Sequence, residues 1–465
     1  MSGSRAYRAT LLHTPVRGEV EWLQDAIVVV APDGVIEAVH AAGSAGHGRA
    51  LAEFAARGDL VTVGEGRYLL PGLVDLHVHA PQWPQLGKAL DRPLEEWLQS
   101  CTFPLEARYA DLAFAEAQYP ALVEALLANG TTTALYYGTI HLPATLRLAQ
   151  ICLQRGQRAL VGRVAMDDPD QCPEFYRDTS AQQALFETRQ FIGQVRALPG
   201  NGGVMRASGA AVPPLVAPVV TPRFIPSCTD ELLYGLGALA RELHCHVQTH
   251  CSESDWEHDH VRERCGVSDT RALERYGLLS RHTVLAHGNF VDYDDTTALV
   301  RTGSAIAHCP LSNVFFSDAV LPVRQLLARG VHVGLGTDIS GGASPSIFEN
   351  ARQAVIASRY LEAGVDPGLP RDTRRRSESR IEALTAFWLA TAGGGIALDL
   401  PVGILRPGYQ FDAMIVDPTA AGSNLRIAVQ DSAAEIVQKI LYHAGRINVG
   451  AVWVAGRLVS GAPGY

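Results

Sequence analysis

The sequence predicts an α/β fold: a (β/α)8 TIM-type barrel flanked by a small β-sandwich formed by the N- and C-terminal segments. Three observations carry this expectation. From about Leu69, eight short apolar runs alternate with helical patterns, the grammar of parallel βαβ units closing into a barrel. Both chain ends are instead rich in strand and hairpin signals. At 465 residues and 47% hydrophobic composition, the chain can bury a core of barrel size.

Taken in order, AYRATLLHTPV, DAIVVVAPDGVIEAV with its Pro-Asp-Gly turn, and RYLLPG are the N-terminal strands. The alanine-rich stretch between His40 and Gly58 fits a short helix. The eight barrel runs are LVDLHVH, TTTALYYG, ALVGRVAMD, PLVAPVVTPRF, HVQTHCSE, TVLAHG, SAIAHCP and VHVGLGTD. Helices such as PATLRLAQICLQRG, SAQQALFETRQFIGQVRAL and TDELLYGLGALARELH lie between them. PGNGGVMRASGAAVPP, rich in glycine and proline, is a surface loop. The helix RIEALTAFWLATAGGGIAL then leads into a strand-rich tail, GYQFDAMIVDP and NVGAVWVAGRLVSG. Short isolated hairpins are marginal in water, so the two tails are expected to pair. The expected division is 1–68 with 402–465 for the composite sandwich and 69–401 for the barrel.

Composition excludes several classes. The formal net charge is −9, with no basic stripe for nucleic acid. The one basic cluster, Arg371, Arg374, Arg375, Arg376 and Arg380, is interleaved with Asp372 and Glu378 and is expected to be a solvated loop. No apolar run reaches the ~20 residues of a membrane span. The N-terminus lacks the apolar core of a signal peptide. Eight cysteines without CxxC pairs suit reduced thiols in a cytoplasm. Lysine occurs only at Lys88 and Lys439.

Barrel enzymes carry their chemistry at the C-terminal ends of strands. The first run ends in His77 and His79, two apart and so on one face. The fifth ends in His250 and continues to Glu253; the sixth ends in His287 and the eighth in Asp338. Histidine nitrogens and a carboxylate at one barrel mouth suit a catalytic divalent metal with an open position for water. A lone His-x-His says little, since His244 and His246 form a second pair at the start of a strand, where no role is expected. His308 fits a packing or supporting role, and the other histidines fit structural or solvated ones.

The segments PGLVDLHVH, THCSE, LAHG and GLGTD, at these intervals, resemble the amidohydrolase superfamily of metal-dependent hydrolases. Within it, the chain is similar to the guanine deaminase family along nearly its whole length, most closely in PLEEWLQSCTFPLEARY, NGTTTALYYGTIH, VTPRF and IAHCPLSNVFFS. GTTT and HCP are shared widely and are uninformative about substrate; His79-Ala80-Pro81-Gln82, Trp97 and Pro222-Arg223-Phe224 are far more specific. The resemblance implies His77, His79, His250 and Asp338 as ligands to one Zn2+ per chain. Binuclear relatives need a lysine at the end of strand four, and VVTPRF has none.

It further implies hydrolytic deamination of guanine to xanthine and ammonia, with hydroxide attacking C2. Asp338 is expected to take up the water's proton, Glu253 to shuttle protons as general acid, and His287 to orient the attacking oxygen. Gln82 and Arg223 are expected to read the purine edge, and Trp97 and Phe224 to sandwich the ring; the two aromatics fit ordinary core packing equally well. A small-molecule purine, and neither nucleic acid nor membrane, is the expected partner. The resemblance implies a homodimer. Three alternatives stay open: a deaminase of another aminated heterocycle (a pterin, 8-oxoguanine or a triazine), a triazine chlorohydrolase, and a non-catalytic scaffold. Neither Zn2+ against Fe2+ nor a role for the loop at 199–214 follows from the sequence.

Overall fold

The computed structural model describes residues 3–206 and 211–462. β1 (Arg5–His13) pairs antiparallel with β2 (Glu21–Val30), and β2 with β3 (Ile36–His40). β4 (Leu60–Thr62) and β5 (Tyr68–Pro71) run parallel along the other edge of β1. The helix Ala45–Arg57, capped by the Ser44 side chain and ended by Gly58, packs Ala50 and Phe54 onto Ala6 and Ile27.

Eight parallel strands follow. β6 (Leu73–His79), β7 (Thr131–Tyr137) and β8 (Arg158–Ala165) come first. A small hairpin, β9 (Val204–Met205) with β10 (Ala211–Val212), then interrupts the segment expected to be a plain loop; residues 207–210 of it lie outside those described. β11 (Val216–Pro222), β12 (His246–Cys251), β13 (Thr283–His287), β14 (Ala305–His308) and β15 (His332–Leu335) complete the set. Each coincides with an expected apolar run, and nearly every residue on them is buried. Burial on both faces is why these runs are continuously apolar rather than alternating. The barrel closes just beyond β15, where the Asp338 N–H donates to the His77 carbonyl (2.8 Å) and the His79 N–H to the Ile339 carbonyl (2.9 Å).

β16 (Ala413–Val416), β17 (Val449–Val454) and β18 (Arg457–Gly461) join the N-terminal strands through the β16–β5 pair, giving a second sheet of eight strands. This sheet curls, because the chain before β16 returns to the β2–β3 turn through the Val35–Gln410 bridge. Its inner core is built on Tyr7, stacked on Phe411 at 4.3 Å and edge-on to Trp453 at 5.5 Å. Gly34 allows a close approach: a Cβ there would sit 2.4 Å from the Ala455 backbone.

The tail departs from expectation in one element. Between β16 and β17 lies a helix, Ala433–His443, opened by a Ser432–Glu435 capping box and burying Ile436, Val437, Ile440 and Leu441. The two sheets meet at the base of the barrel, where the buried Arg158 of β8 forks onto Asp412 (2.8 and 3.2 Å) and reaches Gln410 (3.2 Å). All eight cysteines are free thiols. Among the described residues, no helix is long and apolar enough to cross a membrane.

Candidate active site

The C-terminal mouth of the barrel gathers the strand-end residues into one buried cluster. His77 and His79 come from the end of β6, His250 from β12, His287 from β13 and Asp338 from just beyond β15. His77 Nε2 lies 3.1 Å and His79 Nε2 3.6 Å from Asp338 Oδ1, and the two Nε2 atoms of His79 and His250 lie 2.9 Å apart. His287 Nε2 is 3.9 Å from Asp338 Oδ2 and 3.5 Å from Glu253 Oε1. His287 and Asp338 have positive φ (71° and 50°), so backbone strain is accepted where these side chains turn inward.

Tautomers are set from outside the cluster. His250 Nδ1 donates to the Arg223 carbonyl (2.6 Å), and His287 Nδ1 to Asn313 Oδ1 (2.9 Å), which leaves both Nε2 lone pairs facing the centre. Burial, reinforced at His79 and His250 by neighbouring imidazoles, holds His77, His79 and His250 below the ordinary histidine range and keeps them neutral. Burial acts to raise the Asp338 carboxyl, but His77, His287 and the Ser312 hydroxyl together outweigh this and hold it below the ordinary carboxylate range. His77 Nε2 and His287 Nε2, both buried, have no hydrogen-bond partner. Inward lone pairs, a fixed carboxylate and orphaned nitrogens within 4.8 Å of one another suit a divalent cation.

Beneath the cluster, Asp75 secures β6 against the closing segment. Its carboxylate accepts from the Thr337 N–H (2.9 Å), the Thr337 hydroxyl (2.6 Å) and the His77 N–H (3.2 Å). Glu253 is buried, and burial pushes its carboxyl up to about 7, with Asp338 raising it further and His287 opposing.

Beside the cluster opens a small cavity, with about 380 Å3 of space between the atoms, part of it open to solvent. Gln82, Trp97, Arg223 and Phe224 all line it, with His79, His250, Glu253 and Asp338 on its inner wall. The cavity also contains residues without a local sequence signal. Phe316 lines it with its ring centroid 4.8 Å from that of Trp97, and Ser312 and Gly341 form part of the wall. Glu106, fully buried, ties two polar groups of the cavity wall together. Arg223 donates to both of its oxygens (2.7 and 3.2 Å), and Gln82 Nε2 donates to Oε1 (2.9 Å). The Gln82 carbonyl accepts from the Ser340 N–H (3.1 Å), so its amide is held in one orientation with a further N–H to offer. Trp97 and Phe316 sit at single wide turns of helix (π turns at Leu98–Thr102 and Asn313–Ser317).

His308 is buried behind the cluster, and burial lowers it to about 3. His246 bonds the Leu398 carbonyl (2.9 Å) at the opposite end of the barrel. The Arg371–Arg380 segment lies largely exposed.

The profile of the amidohydrolase family matches residues 68–459. The guanine deaminase of Dictyostelium discoideum is 33% identical over 98% of each chain. That of Homo sapiens is 34% identical over 97% of this chain and 96% of its own. A crystal structure of guanine deaminase from C. acetobutylicum, with bound guanine in the active site, superposes with a TM-score of 0.85; it is 26% identical and covers 98% of this chain and 100% of that one. The chain belongs to the amidohydrolase family and, within it, to the guanine deaminases.

Proposed function

We propose that the chain is a zinc-dependent enzyme that hydrolyses guanine to xanthine and ammonia. One observation carries this reading: a metal-ligand cluster and a buried Arg223–Glu106–Gln82 network open onto the same small cavity. The identity to guanine deaminases over nearly the whole chain supports it.

His77, His79, His250 and Asp338 would hold one Zn2+. Neither Lys88 nor Lys439 lies on a barrel strand, so no lysine is placed there to bridge a second ion as a carbamate. When bound, the ion supplies a Lewis acid that brings the pKa of water near 7. Asp338 accepts the proton of the attacking water, which His287 Nε2 orients as a hydrogen-bond acceptor. Glu253, with a carboxyl that loses and gains its proton near neutrality, protonates the ring nitrogen beside C2, regains from Asp338 the proton taken from the water and hands it to the departing amine, and is restored by the proton that the C2 hydroxyl loses as the carbonyl forms. Arg223 and Gln82 donate to the 6-oxo edge, so that a 6-amino purine finds donors facing donors. Trp97, Phe224 and Phe316 supply apolar contact to the ring. The family relationship supports a homodimer acting in the cytoplasm, which light scattering of purified protein and fractionation check.

The test is ammonia and xanthine formation from guanine, run beside a pterin, 8-oxoguanine and an aminotriazine, with metal analysis of the same preparation. Guanine is expected to have the highest kcat/KM, with one zinc per chain. Another heterocycle far ahead of guanine overturns the substrate, and active protein free of metal overturns the ligand assignment.

A further inference from the structure

Glu253 leaves β12 through Ser252, whose φ is 50°; the Ser252 carbonyl still accepts from the Asn289 N–H (2.9 Å), but the N–H groups of Ser252 and Glu253 find no backbone acceptor among the described hydrogen bonds. Three side chains hold it instead. Asp269 Oδ1 accepts the Ser252 N–H (3.2 Å), Glu257 Oε2 accepts the Glu253 N–H (2.7 Å), and Asn289 Nδ2 donates to the Glu253 carbonyl (2.9 Å). Two successive N–H groups are thus held by two carboxylates, both with no exposed surface.

This arrangement is costly. Glu257 meets no arginine, lysine or histidine among the described ion pairs, and Asp269 meets only His258 (3.1 Å). Burying a carboxyl group with no cation beside it is unfavourable whether it stays charged or is driven to hold its proton. Apolar side chains would fill the same volume at lower cost, whereas only an acceptor can hold a backbone N–H in a turn of this shape.

We infer that Glu257, with Asp269 and Asn289 beside it, is a positioning residue that fixes the backbone on either side of Glu253 and so sets where the Glu253 carboxyl meets the substrate. The inference rests on the reading of Glu253 as proton shuttle. It belongs to the geometry of the turn rather than to the metal: none of these three side chains touches His77, His79, His250 or Asp338 in the described hydrogen bonds and ion pairs. Burial, with Asp269 and Glu253 nearby, pushes the Glu257 carboxyl well above the usual carboxylate range, so glutamine is a fair replacement in shape and charge.

Three variants test it in the full-length, zinc-loaded protein: Glu257→Leu, Glu257→Gln and Asn289→Ala. Misplacing a reacting group by about an ångström costs about 100-fold in rate. Glu257→Leu is therefore expected to lower kcat about 10- to 100-fold, with KM within about threefold and zinc content unchanged. Glu257→Gln keeps an acceptor at the Glu253 N–H and is expected to recover most of that loss. Asn289→Ala removes a less buried tie and is expected to lower kcat by less, again at constant KM; it serves as the probe if Glu257→Leu does not fold. A purely structural role predicts lower thermal stability with normal kcat in the folded, metal-loaded fraction, and that result overturns the inference. Parallel loss of zinc and kcat overturns it too. A wild-type protein that releases no ammonia from guanine overturns the functional reading and this inference with it; an active wild type beside unaffected variants overturns this inference alone.

Discussion

A proton shuttle works best when it loses its proton as readily as it gains one, and burial pushes Glu253 up to about 7. Glu253→Gln keeps the volume and removes the proton. Its kcat is expected to fall about 10²- to 10⁴-fold while zinc stays bound, read by steady-state kinetics and metal analysis of one preparation. Glu106 illustrates the opposite case, a residue acting through others. Its carboxylate holds Arg223 and Gln82 at once, so Glu106→Gln weakens a charge-assisted fork and loosens both. KM for guanine is expected to rise about tenfold or more, with a smaller change in kcat; an unchanged KM would detach Glu106 from substrate binding. The two residues differ in legibility. Glu253 follows His250 at a strand end, a position that carries chemistry in barrels, so the sequence offers it as a candidate. Glu106 sits 117 positions from Arg223 on a short helix of its own, and a pairing at that distance leaves no periodic trace.

Strand ends decide the geometry at the next scale. The eight barrel runs were readable because both faces of every strand are buried, which makes each run apolar from end to end. His77 and His79 were readable as a pair because strand period two puts them on one face. Loop detail was less accessible. Ser312, Phe316 and Gly341 reach the cavity from segments whose path depends on tertiary contacts rather than on local propensity. The helix Ala433–His443, by contrast, had a signal that the strand-rich surroundings masked: a Ser-x-x-Glu start followed by apolar residues at helical spacing. Gly341 yields a direct test of the loop geometry. A Cβ there would lie 3.0 Å from Asp338 Oδ2, 3.0 Å from Ser312 Oγ and 3.4 Å from the Phe316 ring. Gly341→Ala is thus expected to crowd Asp338 and narrow the ring slot, lowering kcat/KM about tenfold or more with little change in melting temperature. Kinetics within twofold of wild type would show that this wall yields freely.

At the scale of the whole molecule, chemistry occupies one end of the barrel and attachment the other. The buried Arg158–Asp412 fork joins barrel to terminal sheet far in sequence from either partner's neighbours, 254 positions apart. Nearby on this end, the strand starts carry histidines that the mouth does not use. His246 opens β12, bonds the Leu398 carbonyl, and is lowered by burial to about 4, opposed by that hydrogen bond. An ordinary histidine titrates near 6.5, so below that pH the unfolded chain takes up a proton at position 246 that the folded chain refuses. The unfolded state then binds more protons, and stability must fall as pH drops from about 6.5 toward 4; above 6.5 both states are neutral there and the contribution is complete. Between pH 7 and pH 4.5 this one group removes about 2 kcal/mol. Glutamine at 246 cannot titrate. His246→Gln is expected to be less stable than wild type at pH 7, where it loses a fitted imidazole. That gap should then close by about 2 kcal/mol at pH 4.5, since acid spares the variant at this site. Urea unfolding of both proteins at the two pH values measures it, and zinc loss in acid affects both alike. A gap that stays constant with pH would mean that His246 accepts its proton in the folded barrel, and that the base of β12 is wetter than its packing against Leu398 implies.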